Sequence, residues 1–345
     1  MADTPQTLAA ITNALAQLYR DKIIKQVNRR SVLLRLLRIE AGRGKNVAWD
    51  VEEDGAVAEN FSDGAAVADY GSDNLAPITL PWGLLRANFR ITDLAKAAAR
   101  SSGNPADAVN LFARNLGSAT SKLTKRINGQ CYTGTGSSNQ IAGLKQTALK
   151  DDNTYGGIDR TIAGNAYWRS NVVDAGGASL TLARVRNIIG DTIYSASGEQ
   201  PTIGLAPPAV FNYLGGLFQE QRRYNDTVRV LNTPRGEVRL DATIGTIEIE
   251  GCTIIKDVDA PASEIQFVNP EYVTLEYLPQ TDTSEMPDEV MEAAAQDGYG
   301  PVPLGFVVKK LAVTGASSPY TMQVFLQLRV EKPNACGRLT NFTMP

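Results

Sequence analysis

Residues 46–85 contain no lysine or arginine, yet they contain Asp50, Glu52, Glu53, Asp54, Glu59, Asp63, Asp69 and Asp73. The flanks of this acidic arm alternate as strands do, with Val47, Trp49 and Val51 on one side and Ile78, Leu80 and Trp82 on the other. Its tip is mostly Gly, Ala, Ser and Asp. Such a hairpin has no core of its own, and an isolated two-stranded ribbon is marginally stable in water. The arm must lie on something else, and a partner subunit is the natural candidate. The feature points to assembly before it points to catalysis.

The chain has 345 residues, 43% of them hydrophobic and 21% charged, enough to bury a core in one or two domains. Its apolar runs, such as 204–211, are too short to cross a bilayer, and the N-terminus lacks the basic-then-apolar pattern of a signal peptide. Folding in a cytosol is expected, with no membrane partner. Cys131, Cys252 and Cys336 are odd in number and widely spaced, so they read as buried thiols rather than a disulfide framework or a zinc site. Histidine is absent, which removes the usual general base and the commonest transition-metal ligand. A formal net charge of -3 argues against a dedicated nucleic-acid binder. The charge is uneven, however: residues 1–45 hold nine Lys/Arg against three Asp/Glu, immediately before the acidic arm.

Thr4-Pro5 opens a helix in which Leu8, Ile11, Leu15 and Leu18 repeat at helical spacing, and a second short helix is expected after Ser31. The amphipathic segment looks detachable, so removal of residues 1–40 is expected to leave the central domain folded. Beyond the hairpin, Asn104-Pro105 opens a long helix with an apolar stripe of Val109, Phe112, Leu116, Ala119, Leu123 and Ile127, ending near Gly129. Its other face carries Arg114, Lys122, Lys125 and Arg126. Residues 134–178, rich in Gly, Asn, Asp and Ser around Trp168, read as an ordered loop region. A helix from Thr181, a short strand at 202–206, a helix at 207–219 and then short β hairpins follow. Two further strands are expected at 306–313 and 320–330.

Catalytic and nucleotide signatures are missing. Gly42 to Lys45 and the Gly134-Thr-Gly136 run read as turns rather than phosphate loops. Lys256, Asp257 and Asp259 read as a turn rather than a metal site, and the acids 282–292 as a solvated loop and helix start. No metal and no cofactor is expected. The basic N-terminal arm has three readings: a solvated helix, a nucleic-acid contact, or a docking strip for an acidic partner surface.

The stretch GTIEIEGCTIIKDVDAPASEIQFVNPEYVTLEYL, residues 245–278, resembles a segment of the major capsid proteins of tailed bacteriophages with the Hong Kong 97-type fold. The order upstream is similar to theirs: N-terminal arm, long hairpin (the E-loop), spine helix, and a central domain that begins with a helix. The ending QLRVEKPNACGRLTNF, residues 327–342, resembles the end of their peripheral domain. The resemblance implies an α+β, HK97-like fold divided into an N-terminal arm (1–44), an E-loop hairpin (45–92), a peripheral domain with the spine helix (93–178), an axial domain (179–300) and return strands of the peripheral domain (301–345).

The function it implies is that of a non-enzymatic major capsid protein, assembled in the host bacterial cytoplasm. Copies join as hexamers and pentamers into an icosahedral shell around double-stranded DNA, with scaffold, portal and decoration proteins as further partners. The residues expected at subunit interfaces are Trp49, Glu52, Glu53, Asp54 and Trp82 of the hairpin and Arg29, Arg30 and Arg35 of the basic arm. One departure matters: self-cross-linking members use an E-loop lysine, and this arm has none. The alternatives are an encapsulin-type nanocompartment shell, which uses the same fold, and a soluble binding protein.

Overall fold

The computed structural model describes residues 32–52, 60, 63, 75–101, 105–194, 199–217, 229–233, 236–240, 246–280, 306–313 and 315–344. The expected helix after Thr4, the hairpin tip and the acids 282–292 lie outside them, as do Arg29, Arg30, Glu53 and Asp54. The described residues form two compact units with mixed helix and sheet.

The larger unit is built from Val32–Trp82, Gln130–Glu276 and Gln327–Pro345. Its centre is a six-stranded mixed sheet in the order Thr246–Ile249, Cys252–Lys256, Ile203–Ala206, Glu264–Val268, Gly337–Thr340, Asn171–Asp174. The first two strands are joined by a two-residue turn in which Glu250 and Gly251 both have positive φ, 50° and 80°. That is the turn whose twist matches a hairpin, and glycine adopts its second position at no steric cost. Side chains alternate across the sheet. Ile254, Ile265, Phe267 and Leu339 meet Val185, Ile188 and Ile189 from one helical segment and Val210, Phe211 and Leu214 from the helix Pro208–Leu217.

Residues 32–41 are integral to this unit, a correction to the expectation that residues 1–40 can be removed without loss of the fold. Leu33, Leu34, Leu36 and Leu37 are buried around the helical turn Leu33–Leu36, and Arg38–Ala41 is a strand beside Val273–Tyr277. The buried carboxylate of Asp257 fixes the turn, accepting from the Leu33 N–H (3.3 Å) and from the Tyr132 hydroxyl (2.8 Å). The short helix expected after Ser31 is present as this turn, but that its apolar side packs within the same chain was not foretold.

The smaller unit is built from Gly83–Gly129 and Tyr277–Leu326. The strand Gly83–Thr92 pairs antiparallel with residues 317–326 of the long strand Ser317–Val330, and Val307–Lys310 pairs with residues 320–323. The helix Pro105–Thr133 packs here through Phe112, whose ring lies 5.1 Å from Tyr320 and 5.6 Å from Phe89. Phe112, Ala119, Leu123 and Ile127 are buried, as the apolar stripe requires. The helix passes Gly129 and continues for another turn, because Cys131 and Tyr132 bury there in the larger unit.

These pairings redraw the expected division. Gly83–Thr92 leaves the hairpin and enters the sheet of the smaller unit, since the second hairpin strand ends at Pro81. Residues 130–178 and 327–345 fall with the six-stranded sheet, because Gly337–Thr340 runs parallel to Asn171–Asp174 within it. All three cysteines are buried free thiols. Burial pushes the Cys131 and Cys336 thiols up to about 12 and raises Cys252 as well.

Candidate assembly interface

The hairpin strands Asn46–Glu52 and Leu75–Pro81 pair in register, Trp49 opposite Ile78 and Glu52 opposite Leu75. Alternation divides the ribbon into two faces. Val47, Ile78 and Leu80 are buried, while Ala48, Asp50, Glu52, Leu75, Pro77 and Thr79 are exposed. The carboxylates of Asp50 and Glu52 therefore stand on the solvent face, next to a Leu75 that is 61% exposed.

The inner face rests on the loop region after the long helix. Trp49 lies 6.4 Å from the Tyr155 ring and 6.5 Å from the Trp168 ring, and those two stack at 5.8 Å. Beside them the fully buried Arg160 guanidinium sits 4.7 Å from the Tyr155 ring centre. Its Nη1 donates to the carbonyls of Thr147 (3.1 Å), Ala148 (3.1 Å) and Lys150 (2.6 Å) and to Asn153 Oδ1 (3.3 Å). Burial lowers the Arg160 pKa to about 10, and it pushes the Tyr155 hydroxyl up to about 12. The Tyr155 hydroxyl accepts from the Val330 N–H (3.0 Å), and Trp168 Nε1 donates to the Tyr155 carbonyl (3.0 Å).

The cluster reaches the hairpin backbone directly, because the Thr79 N–H donates to the Gly156 carbonyl (3.1 Å). A Cβ on Gly156 would lie 2.0 Å from Ile78 Cγ2, and its φ of +64° also disfavours a side chain. On the other side of Trp49 lies Arg329, its guanidinium carbon 6.0 Å from the ring. Arg329 binds three carboxylates: Glu276, Glu331 at 2.5 Å and Glu40 at 3.4 Å. Burial raises the Glu276 carboxyl above its ordinary value despite the Arg329 charge.

The expected interface residues thus part company. Glu52 is exposed on the hairpin and Arg35 is exposed on the helical turn. Trp49 is half-buried, and its contacts hold the hairpin to its own chain. Trp82 is 8% exposed and donates from Nε1 to the Gly44 carbonyl (3.1 Å), so it offers a neighbouring subunit little surface. Sequence reasoning passed over Tyr155 and Arg160. A signal was present: one of only three tryptophans, Trp168, stands in a stretch rich in turn-forming residues, and a large aromatic there needs partners. Asp257 is committed to its three hydrogen bonds, the third from the Asp259 N–H (3.0 Å), and among the described residues no three His, Cys, Asp or Glu form a metal-binding group.

The family model described as SU10 major capsid protein matches residues 83–343. No curated protein sequence matches the chain. Among solved structures, the capsid of cyanophage A-1(L) superposes with a TM-score of 0.67 at 16% identity, covering 94% of this chain and 96% of that one. The capsid of a native GTA particle gives 0.56 at 12% identity, over 98% and 100%. The SrpI encapsulin of Synechococcus elongatus PCC 7942 gives 0.53 at 13% identity, over 96% and 95%. The likeness establishes the Hong Kong 97-type fold.

Proposed function

The chain belongs to the SU10 major capsid protein family, and on that premise we propose that its copies close an icosahedral shell of hexamers and pentamers around double-stranded DNA. Its role is structural: it is a shell-forming major capsid protein, and its place is the virion capsid. The observation that carries the finer reading is the hairpin, an acidic ribbon held at its base by Tyr155, Trp168 and Arg160 with its other face turned outward. In this reading it lies across a neighbouring subunit, and assembly proceeds in the host bacterial cytoplasm with scaffold, portal and decoration proteins as further partners.

Electron microscopy of the purified protein tests the proposal. DNA-filled shells with a tail vertex support it, enzyme-filled shells favour the nanocompartment alternative, and a monodisperse monomer overturns both.

The hairpin acids have a direct test. Replacing Glu52, Glu53 and Asp54 by lysine is expected to slow assembly or give aberrant particles, with the far-ultraviolet circular dichroism of the subunit unchanged. Each exposed ion pair contributes about 0 to 1 kcal/mol, but every pair recurs at each capsomer, so small terms add across the shell. Raised salt should partly mask the defect by screening the new repulsion. Normal assembly of the triple variant at low and high salt would leave the acids only a solubilising role.

Because no lysine lies between residues 46 and 95, an isopeptide cross-link from a hairpin lysine is not available. Boiled, reduced particles are expected to run as one band near 37.1 kDa. A ladder of covalent oligomers on the gel would overturn this.

A further inference from the structure

The long helix carries a stripe of positive charge. From residue 108 to residue 150 the chain has no aspartate or glutamate, and it has Arg114, Lys122, Lys125, Arg126, Lys145 and Lys150. Four of these six cations lie on the helix: Arg114, Lys122 and Lys125 recur with Ser118 at helical spacing on the side away from Phe112, Leu123 and Ile127, and Arg126 stands at the edge of that stripe. Ser118, Lys122, Lys125 and Arg126 are exposed and Arg114 is half-exposed. Among the described residues none of the four cations is ion-paired.

We propose that this stripe is a contact surface for the phosphate backbone of a DNA duplex, which makes it the face that the helix turns to packaged DNA. The inference rests on the capsid reading for the source of the duplex, but not for the chemistry of the contact. The helix rises about 1.5 Å per residue, so Arg114 to Arg126 spans about 18 Å. A duplex presents one phosphate charge per about 1.7 Å of axis, or about ten over that length. Anions are in excess, and the four cations set the strength.

A second copy of the chain, offering its acidic hairpin, is the competing occupant. The chemistry of the stripe favours the duplex. Protein interfaces are centred on apolar and aromatic side chains and depleted of lysine, whereas no large apolar side chain is exposed among residues 111–133. Strand Gly83–Thr92, by contrast, places the 50%-exposed Leu84 in line with exposed Arg86 and Arg90. Positive charge without apolar surface is what sequence-independent binding to a phosphate backbone requires.

The test uses the full-length subunit, a short labelled DNA duplex and fluorescence anisotropy over a series of salt concentrations. The slope of log K against log salt is about -0.9 per phosphate neutralised. The K122A/K125A/R126A variant is therefore expected to bind with a slope shallower than the parent by about 2.7, while K122R/K125R/R126K, which keeps the charges, retains the parental slope. Circular dichroism checks that both variants fold. An alanine variant with the parental slope overturns the proposal, and so does a charge-keeping variant that loses as much slope as the alanine variant. If the alanine variant keeps its slope and loses its shells by electron microscopy, the stripe belongs to a second copy instead. Failure of the parent to form shells sinks the capsid reading separately and leaves the slope comparison standing.

Discussion

Removal of residues 1–40 is expected to unfold the larger unit, whereas removal of residues 1–31 leaves it standing. The boundary lies where four leucines enter the core: Leu33 at 0% exposed, Leu34 at 8%, Leu36 at 2% and Leu37 at 1%. Burying a leucine side chain is worth about 1.5–3 kcal/mol. Four of them approach the whole stability of a typical domain, about 5–15 kcal/mol, even after discounting for a compact unfolded state. The longer deletion also strips the Leu33 N–H from the Asp257 carboxylate, which is 2% exposed. Thermal melts followed by circular dichroism separate the cases. A cooperative transition in the 1–40 deletion at the parental temperature would mean that the helical turn contributes nothing, and that the detachable arm extends past residue 31 after all.

Among single substitutions, Arg160→Ala is expected to cost the most. The guanidinium is 0% exposed and holds the carbonyls of Thr147, Ala148 and Lys150 together through one nitrogen. Alanine leaves those acceptors buried without a donor, each at about 1–3 kcal/mol, and opens a cavity beside Tyr155 and Trp168. A destabilisation of about 4 kcal/mol is expected, at the severe end for point mutations. Arg160→Lys should recover only part of it, because an ammonium cannot reproduce the planar fork or lie flat on the Tyr155 ring. Urea unfolding followed by tryptophan fluorescence measures both. Parental stability in Arg160→Ala would show that the carbonyls turn to solvent unaided and that the cluster does not hold the hairpin base.

What the sequence made legible is local. The alternation of Val47, Trp49 and Val51 against Ile78 and Leu80 foretold the ribbon and its buried face, and the spacing from Phe112 to Ile127 foretold the long helix. The Hong Kong 97-type fold came from the resemblance of residues 245–278 and of the segment order to tailed-phage capsid proteins. The boundary between the units was not, because it is decided by pairing between Asn171–Asp174 and Gly337–Thr340, far apart in the chain. Local periodicity records that a strand exists, not which partner it takes. Arg160 was hidden for another reason. An arginine in a loop is ordinarily solvated, and its burial depends on carbonyls that only the folded loop turns inward. The fate of Trp82 was equally hidden, since the pattern marks it as apolar without saying whether its own chain or a neighbour covers it.

The three sealed thiols give the container an indifference to its surroundings. Under the cytoplasmic assembly proposed above, a particle would pass from a reducing interior to an aerobic medium, and a protein with accessible cysteines would gain or lose cross-links on the way. Here each sulfur is shielded from solvent and held in the unreactive protonated form. The mechanical strength of the shell should then be the same in dithiothreitol and in air.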